Sequence, residues 1–258
     1  SVDAGYVALV NSSNIRVEGL TLENNGEGAL IVNSRNSVVE KKVISRVRKG
    51  LFLYQSVNCT ASNNTIFDCA EGVLVSSSAD SSLSHNEIAE NDGFGVDILT
   101  SQNIRVINNN ITRNSRSGLY SASSHGLKIS GNNITQNGAG ASLSFCNGST
   151  ISENIIFDNG DGGIILTSSG HCIVEGNDVI NNNGCGVFAS NVFSTVLNAN
   201  SVVENYEEGL YLYQCDRSQV VGNHFGGNLV GARIYYSANC TFNDNYVMGN
   251  LMMGVRFH

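Results

Sequence analysis

The stretch ISGNNITQNG (Ile129–Gly138) places Asn132, Ile134 and Asn137 at offsets of 0, +2 and +5. The same spacing returns in INNNITRNS (Ile107–Ser115), ENIIFDNGD (Glu153–Asp161), GNDVINNNG (Gly176–Gly184) and DNYVMGNLM (Asp244–Met252). Working outward, a glycine precedes each copy at a fixed distance. Starting from Tyr6, the series runs Gly28, Gly50, Gly72, Gly95, Gly118, Gly140, Gly163, Gly186, Gly209, Gly231 and Gly254. Every interval is 22 or 23 residues, so eleven units account for nearly all of the 258 residues. A strict internal period of this length is the mark of a solenoid.

Within each unit the apolar positions alternate as they do in strands. One residue after the glycine stand Ala29, Leu51, Val73, Val96, Leu119 and Ala141, and sixteen after it stand Ile44, Ile66, Ile88, Ile111, Ile134 and Ile156. Positions +1 and +3 read as inward, while +2 and +4 vary freely, a period of two. Helical solenoids use units of about 33 to 47 residues rich in helix formers. Asn, Gly, Ser and Val dominate here instead. The sequence therefore predicts an all-β, right-handed, single-stranded parallel β-helix of about eleven 22–23-residue coils, with three short strands per coil. Equivalent residues would stack about 4.8 Å apart.

Two asparagine columns follow from this frame. Position +14 holds Asn64, Asn86, Asn109, Asn132, Asn154, Asn177, Asn200, Asn223 and Asn245. Position +19 holds Asn25, Asn91, Asn114, Asn137, Asn159, Asn182, Asn205, Asn228 and Asn250. Asn tolerates left-handed geometry at a bend, and its amide can bond both backbone and a stacked Asn. These columns are expected to be structural ladders, with a serine column at +6 (Ser34, Ser56, Ser78, Ser101, Ser124) behaving alike. The absence of Pro fits a chain whose backbone N–H groups all enter ladders.

Composition excludes some partners. A net charge of −8 opposes binding to nucleic acid, whose phosphates need a basic face. No apolar run approaches the roughly 18 residues of a membrane span. The opening SVDAGYVALV (Ser1–Val10) shows no signal segment and neither end shows a capping element, so the expectation is one domain, 1–258, belonging to a longer chain.

The glycine-led coil with N-x-I-x-x-N resembles the pectin-lyase-like superfamily, and more closely its NosD-like, carbohydrate-binding and sugar-hydrolase repeats. The resemblance spans the whole chain, but its matching residues are the structural ones. It implies an extracellular, cell-surface or periplasmic protein. Its relatives include polysaccharide lyases, glycoside hydrolases, epimerases, surface adhesins and a periplasmic protein that assists copper loading. In the enzymes the outer face of the first strand usually carries the chemistry.

No complete catalytic constellation appears on that face. Asp97 at +2, with Asp92 in the turn before it, is the one carboxylate pair, a solvated surface or an acid dyad. The basic run EKKVISRVRK (Glu40–Lys49) puts Lys42 and Val47 where Asn is expected; it is the best candidate for the Lys or Arg base of a lyase, and the reading preferred is an irregular early coil whose charges pair with Glu18, Asp68 and Glu71. His85, His125, His171, His224 and His258 fall on mostly separate coils, so no metal site is predicted. Calcium has no motif, and the expected cofactor is none. The seven cysteines read as small buried thiols.

The most suggestive surface lies in the last coils. Tyr211, Tyr213, Arg233, Tyr235, Arg256 and His258 should form a grid on the first-strand face. Aromatic rings stack on sugar faces, and Arg forks a carboxylate or sulfate. The same grid could instead be an interface for a flanking domain or protein partner, or a plain stabilising ladder. Three functions stay open: a module that binds or processes an acidic polysaccharide, a scaffold or adhesin-like interaction domain, and a NosD-like accessory of copper-enzyme maturation.

Overall fold

A computed structural model of the protein describes residues 5–258. It is an all-β parallel solenoid with three sheets running its length. The first sheet stacks 12 strands and the other two stack 11 each, and every neighbour lies one coil away. Parallel strands joined by crossover connections wind right-handed. No helix among the described residues is long and apolar enough to cross a membrane.

The expected alternation holds strand by strand. In Glu71–Ser76 the residues Val73 and Val75 are buried, while Leu74 and Ser76 are partly exposed. Registers join equivalent positions of successive coils, as in Val73 against Val96 and Val96 against Leu119. The inward columns fill one continuous core from Leu9 to Ile234.

The glycine column exists because space runs out there. A Cβ added to Gly95 would lie 2.6 Å from the Gly118 carbonyl oxygen and 2.6 Å from the Ile111 Cγ2. Its φ is ordinary, so glycine is required by close approach of the third sheet to the first.

Both asparagine columns form buried ladders. Asn109 Nδ2 donates to Asn132 Oδ1 at 3.0 Å, and Asn132 Nδ2 donates to Asn154 Oδ1 at 2.9 Å. Each Asn also donates to a carbonyl of the coil before it, as Asn132 does to Val106 at 2.8 Å. Each Oδ1 further accepts the backbone N–H of the preceding rung, as Asn132 does from Asn109 at 2.9 Å. The second ladder repeats the pattern from Asn91 to Asn250. Serine at +6 forms a third column, with Ser34 N donating to Ser56 Oγ at 3.1 Å.

The bends differ from expectation in one respect. The left-handed residues are not the ladder asparagines but the residues just before them. His85 (φ 55°), Asn108 (φ 54°) and Glu153 (φ 56°) precede Asn86, Asn109 and Asn154. An L-residue there costs about 1–2 kcal/mol, and the rung that follows offsets it by taking up the bend's backbone donors.

The early basic run also pairs differently. Lys41 meets Glu18 at 2.6 Å, as expected, but Arg46 meets Glu23 at 3.1 Å and Arg48 meets Glu27 at 2.9 Å. Asp68 and Glu71 are in none of these pairs, because the arginines reach back toward the preceding coil. Lys42 is fully buried in the first asparagine column with its Nζ unpartnered. Burial pushes its amine below the usual lysine range. All seven cysteines are free; six are buried, and Cys240 is partly so.

Candidate functional site

Four neighbouring strands of the first sheet, Val187–Ser190, Glu208–Tyr213, Val230–Tyr235 and Met253–Phe257, carry the grid. Register aligns Phe188, Tyr211, Arg233 and Arg256 in one outward column. It sets Ser190, Tyr213 and Tyr235 in the next. Parallel in-register stacking brings residues 22 or 23 apart in sequence into contact, and the alternation of the strand turns them outward.

The rings touch edge to face. Tyr211 lies 5.6 Å from Phe188, 6.3 Å from Tyr213 and 6.5 Å from Tyr235, centroid to centroid. Tyr235 meets His258 at 4.6 Å. Arg256 sits 5.9 Å over the Tyr235 ring and Arg233 sits 5.6 Å over Tyr211. The structure thus brings Tyr211, Tyr213, Arg233, Tyr235, Arg256 and His258 together in one patch. It adds Tyr236, which packs on Tyr213 at 5.8 Å and on Tyr235 at 5.3 Å. The sequence reading missed Tyr236 because it occupies a left-handed bend (φ 48°), where small polar residues are the rule.

The two arginines are not equivalent. Arg233 Nη1 is held by Glu208 at 2.9 Å. Arg256 is exposed and in no ion pair among the described residues, so its fork is free for an anion. Burial pushes the Tyr211 hydroxyl above the usual phenol range, which keeps it a hydrogen-bond donor.

The second candidate, Asp97, lies on the same face farther back. It is half-buried, its Oδ1 has no hydrogen-bond partner, and its carboxyl is pushed up to about 6. Burial is the main cause, and the Glu71 carboxylate adds to it against Arg116. Asp92 stays exposed in the turn, so the carboxylate that acts on Asp97 is Glu71. Glu71 accepts the Phe94 backbone N–H at 3.0 Å. Phe94 stacks on Tyr120 at 4.7 Å, with Arg116 5.2 Å over its ring. The site is therefore an acid, a second carboxylate, an arginine and two stacked rings on one open face.

Among the described residues a single group of metal-type side chains converges, Cys185 with Glu207 and Glu208. The histidines do not take part in it.

Comparison with known proteins supports the architecture. No curated protein sequence matches the chain. Solved structures do: the Dettilon tailspike protein (gp208) superposes with a TM-score of 0.84 at 14% identity over 98% of this chain. This chain spans 60% of that tailspike. The Azotobacter vinelandii mannuronan C-5 epimerase AlgE6 A-module gives a TM-score of 0.71 at 16% identity, covering 95% of this chain and 74% of that one. PfbA, a surface adhesin of Streptococcus pneumoniae, gives 0.66 at 14% identity, covering 92% and 72%. The profile described as periplasmic copper-binding protein (NosD) matches residues 2–137, and that described as right handed beta helix region matches residues 94–247. With its coils, ladders and these two matches, the chain belongs to the right-handed β-helix family.

Proposed function

We propose that the protein is a carbohydrate-associated β-helix module acting outside the cytoplasm, which binds an acidic polysaccharide along the outer face of its first sheet. The observation that carries this reading is the joining of Tyr211, Tyr213, Tyr235 and Tyr236 with the unpaired Arg256 on one open surface. Tyrosines packed edge to face hold one another in place, so their exposed parts meet a sugar at little cost in side-chain freedom. Arg256 then supplies a forked contact to a carboxylate or sulfate. The resemblance to a tailspike, an epimerase and an adhesin supports the reading through the fold alone. In this reading Asp97, Glu71 and Arg116 extend the same face toward the amino terminus, and whether they turn a bound glycan over is settled by assay.

The test is a glycan-array screen of the protein beside a Tyr213→Ala, Tyr235→Ala, Arg256→Ala variant of matched thermal stability. Binding of acidic glycans by the parent alone upholds the reading. Absence of binding by both overturns it, in favour of a protein-interaction scaffold. The NosD match over residues 2–137 favours a second reading, an accessory role in copper-enzyme maturation. That reading requires stoichiometric copper on the purified protein.

A further inference from the structure

Cys185 and Glu208 occupy equivalent places in successive coils, where the turn from the third sheet runs into the first: Cys185 stands in its turn and Glu208 is the first residue of the strand Glu208–Tyr213. Glu207, still in the turn, precedes Glu208. The Cys185 Sγ lies 3.3 Å from Glu208 Oε2 and 3.5 Å from Glu207 Oε2. Cys185 is 8% exposed and Glu208 7%, whereas Glu207 is exposed. The other oxygen of Glu208 is fixed by Arg233 at 2.9 Å. One thiol proton therefore faces two carboxylate oxygens and can satisfy only one of them. Arg233 balances one of the two negative charges and leaves the other without a partner in this turn.

We propose that Cys185, Glu207 and Glu208 form a binding site for a divalent cation of the zinc type. The spacing suits such an ion. With Zn–S of about 2.3 Å and Zn–O of about 2.0 Å at tetrahedral angles, sulfur and oxygen ligands sit about 3.5 Å apart. The two observed separations already match that edge. A thiolate with two carboxylates is a mixed set that takes zinc rather than calcium or magnesium, which prefer all-oxygen ligands. Arg233 acts on Glu208 from outside, orienting the carboxylate as a hydrogen-bonded partner does at established sites.

The charges close. Empty, the turn holds a neutral thiol, two carboxylates and one guanidinium, a net charge of about −1. Binding transfers the Cys185 proton to water and forms an S–Zn bond, so one thiolate, two carboxylates, the guanidinium and the dication sum to about zero. Three protein ligands leave a fourth position. On the solvent side, Glu207 borders an open cleft of about 510 Å³ that also includes Tyr206, Leu229 and Leu251. The fourth ligand is then water or a donor atom of whatever occupies that cleft.

The first measurement is zinc stoichiometry by equilibrium dialysis, for the full chain and for Cys185→Ser and Glu208→Gln. The second is the near-ultraviolet spectrum with Co²⁺ in place of zinc. The proposal expects one zinc per chain, a thiolate-to-cobalt charge-transfer band, and at least about a 100-fold loss of affinity in each variant. Glu207→Gln, at an exposed position, covers the case in which a buried variant fails to fold, and should weaken binding in the same direction. Zinc retained by all three variants, a cobalt complex without the thiolate band, or no zinc bound at micromolar free metal would each overturn it.

Discussion

Glu208 uses its two oxygens for different purposes, one held by Arg233 at 2.9 Å and the other facing the Cys185 sulfur at 3.3 Å. The aromatic face and the thiol turn therefore share a residue. Glu208→Gln is expected to loosen Arg233 from its place over Tyr211 as well as to spoil the turn. Tryptophan is absent and four of the nine tyrosines lie on this face, so a changed tyrosine emission in Glu208→Gln but not in Glu207→Gln is the expected result. Identical spectra would show that Arg233 is positioned without Glu208.

The ladders should be expensive to interrupt. Asn132→Ala leaves the Asn109 backbone N–H without its side-chain partner, takes one of three acceptors from the Asn109 amide, which keeps Leu83 and Ile107, and removes the amide donor to the Val106 carbonyl. Buried unsatisfied groups cost about 1–3 kcal/mol each, and local relaxation recovers part of that. A loss of about 3 kcal/mol in urea unfolding is expected. Asn133→Ala, one residue on but on the exposed surface, should change stability by less than about 0.5 kcal/mol.

Gly95→Ala tests the close approach of the sheets. The added methyl meets the Gly118 carbonyl and the Ile111 side chain, both rigidly held. Overpacking of this kind costs about 1–3 kcal/mol. Gly148→Ala meets no atom within 4 Å but sits at φ 61°, and should cost about 1 kcal/mol through backbone strain alone.

Lys42→Asn should stabilise the protein. The new amide would continue the ladder below Asn64, whose Oδ1 already accepts the Lys42 backbone N–H at 3.0 Å. Removing an unpartnered buried amine and adding a rung is expected to gain about 2 kcal/mol. The pH dependence carries a signature. The folded chain's Lys42 titrates below 10.5, so between that lower value and 10.5 the unfolded chain holds a proton that the folded chain lacks. Wild-type stability therefore rises with pH across that window, and the variant should lose this slope.

Asp97 gives the opposite sign. Its folded carboxyl titrates near 6, above the ordinary 3.8, so the folded chain holds the extra proton between these values. The contribution is fully present below pH 3.8 and is lost as pH rises through 6. Asp97→Asn should flatten the stability profile in that interval and raise stability at pH 7 relative to wild type. Unchanged profiles would mean that water reaches Oδ1 more freely than its burial indicates.

The coil period was legible because its causes recur in every unit. Ile111 and Ile134 fill the same core slot, Gly95 and Gly118 the same tight approach, and Asn109 and Asn132 the same ladder. The site residues were legible only as a register. Tyr211, Arg233 and Arg256 follow once the coil is known, because stacking carries +2 onto +2. What could not be read is whatever depends on the turns. Coil lengths of 22 and 23 residues follow no regular order, so what a turn brings together depends on where its extra residue is placed; Cys185 and Glu208, each one residue before a column glycine, could be aligned, but the approach of Glu207 to the thiol could not. The left-handed bends were also hidden, since His85, Glu153 and Phe145 all adopt them with no common chemistry. Arg233 looked free for a ligand because Glu208, the first residue of its strand, lies outside the outward +2 and +4 columns from which the face was read.

The asparagine ladders all run one way: each rung donates back to a carbonyl of the coil before it and forward to the side-chain oxygen of the coil that follows. A finished coil thus presents a backbone N–H and an amide N–H side by side, both awaiting a single oxygen from residues not yet in place. During synthesis from the amino end, each new turn would find its landing point already prepared, and a turn slipped by one residue would miss both donors. Folding that followed translation would then be templated coil by coil, with the two ladders each testing the register of every new turn.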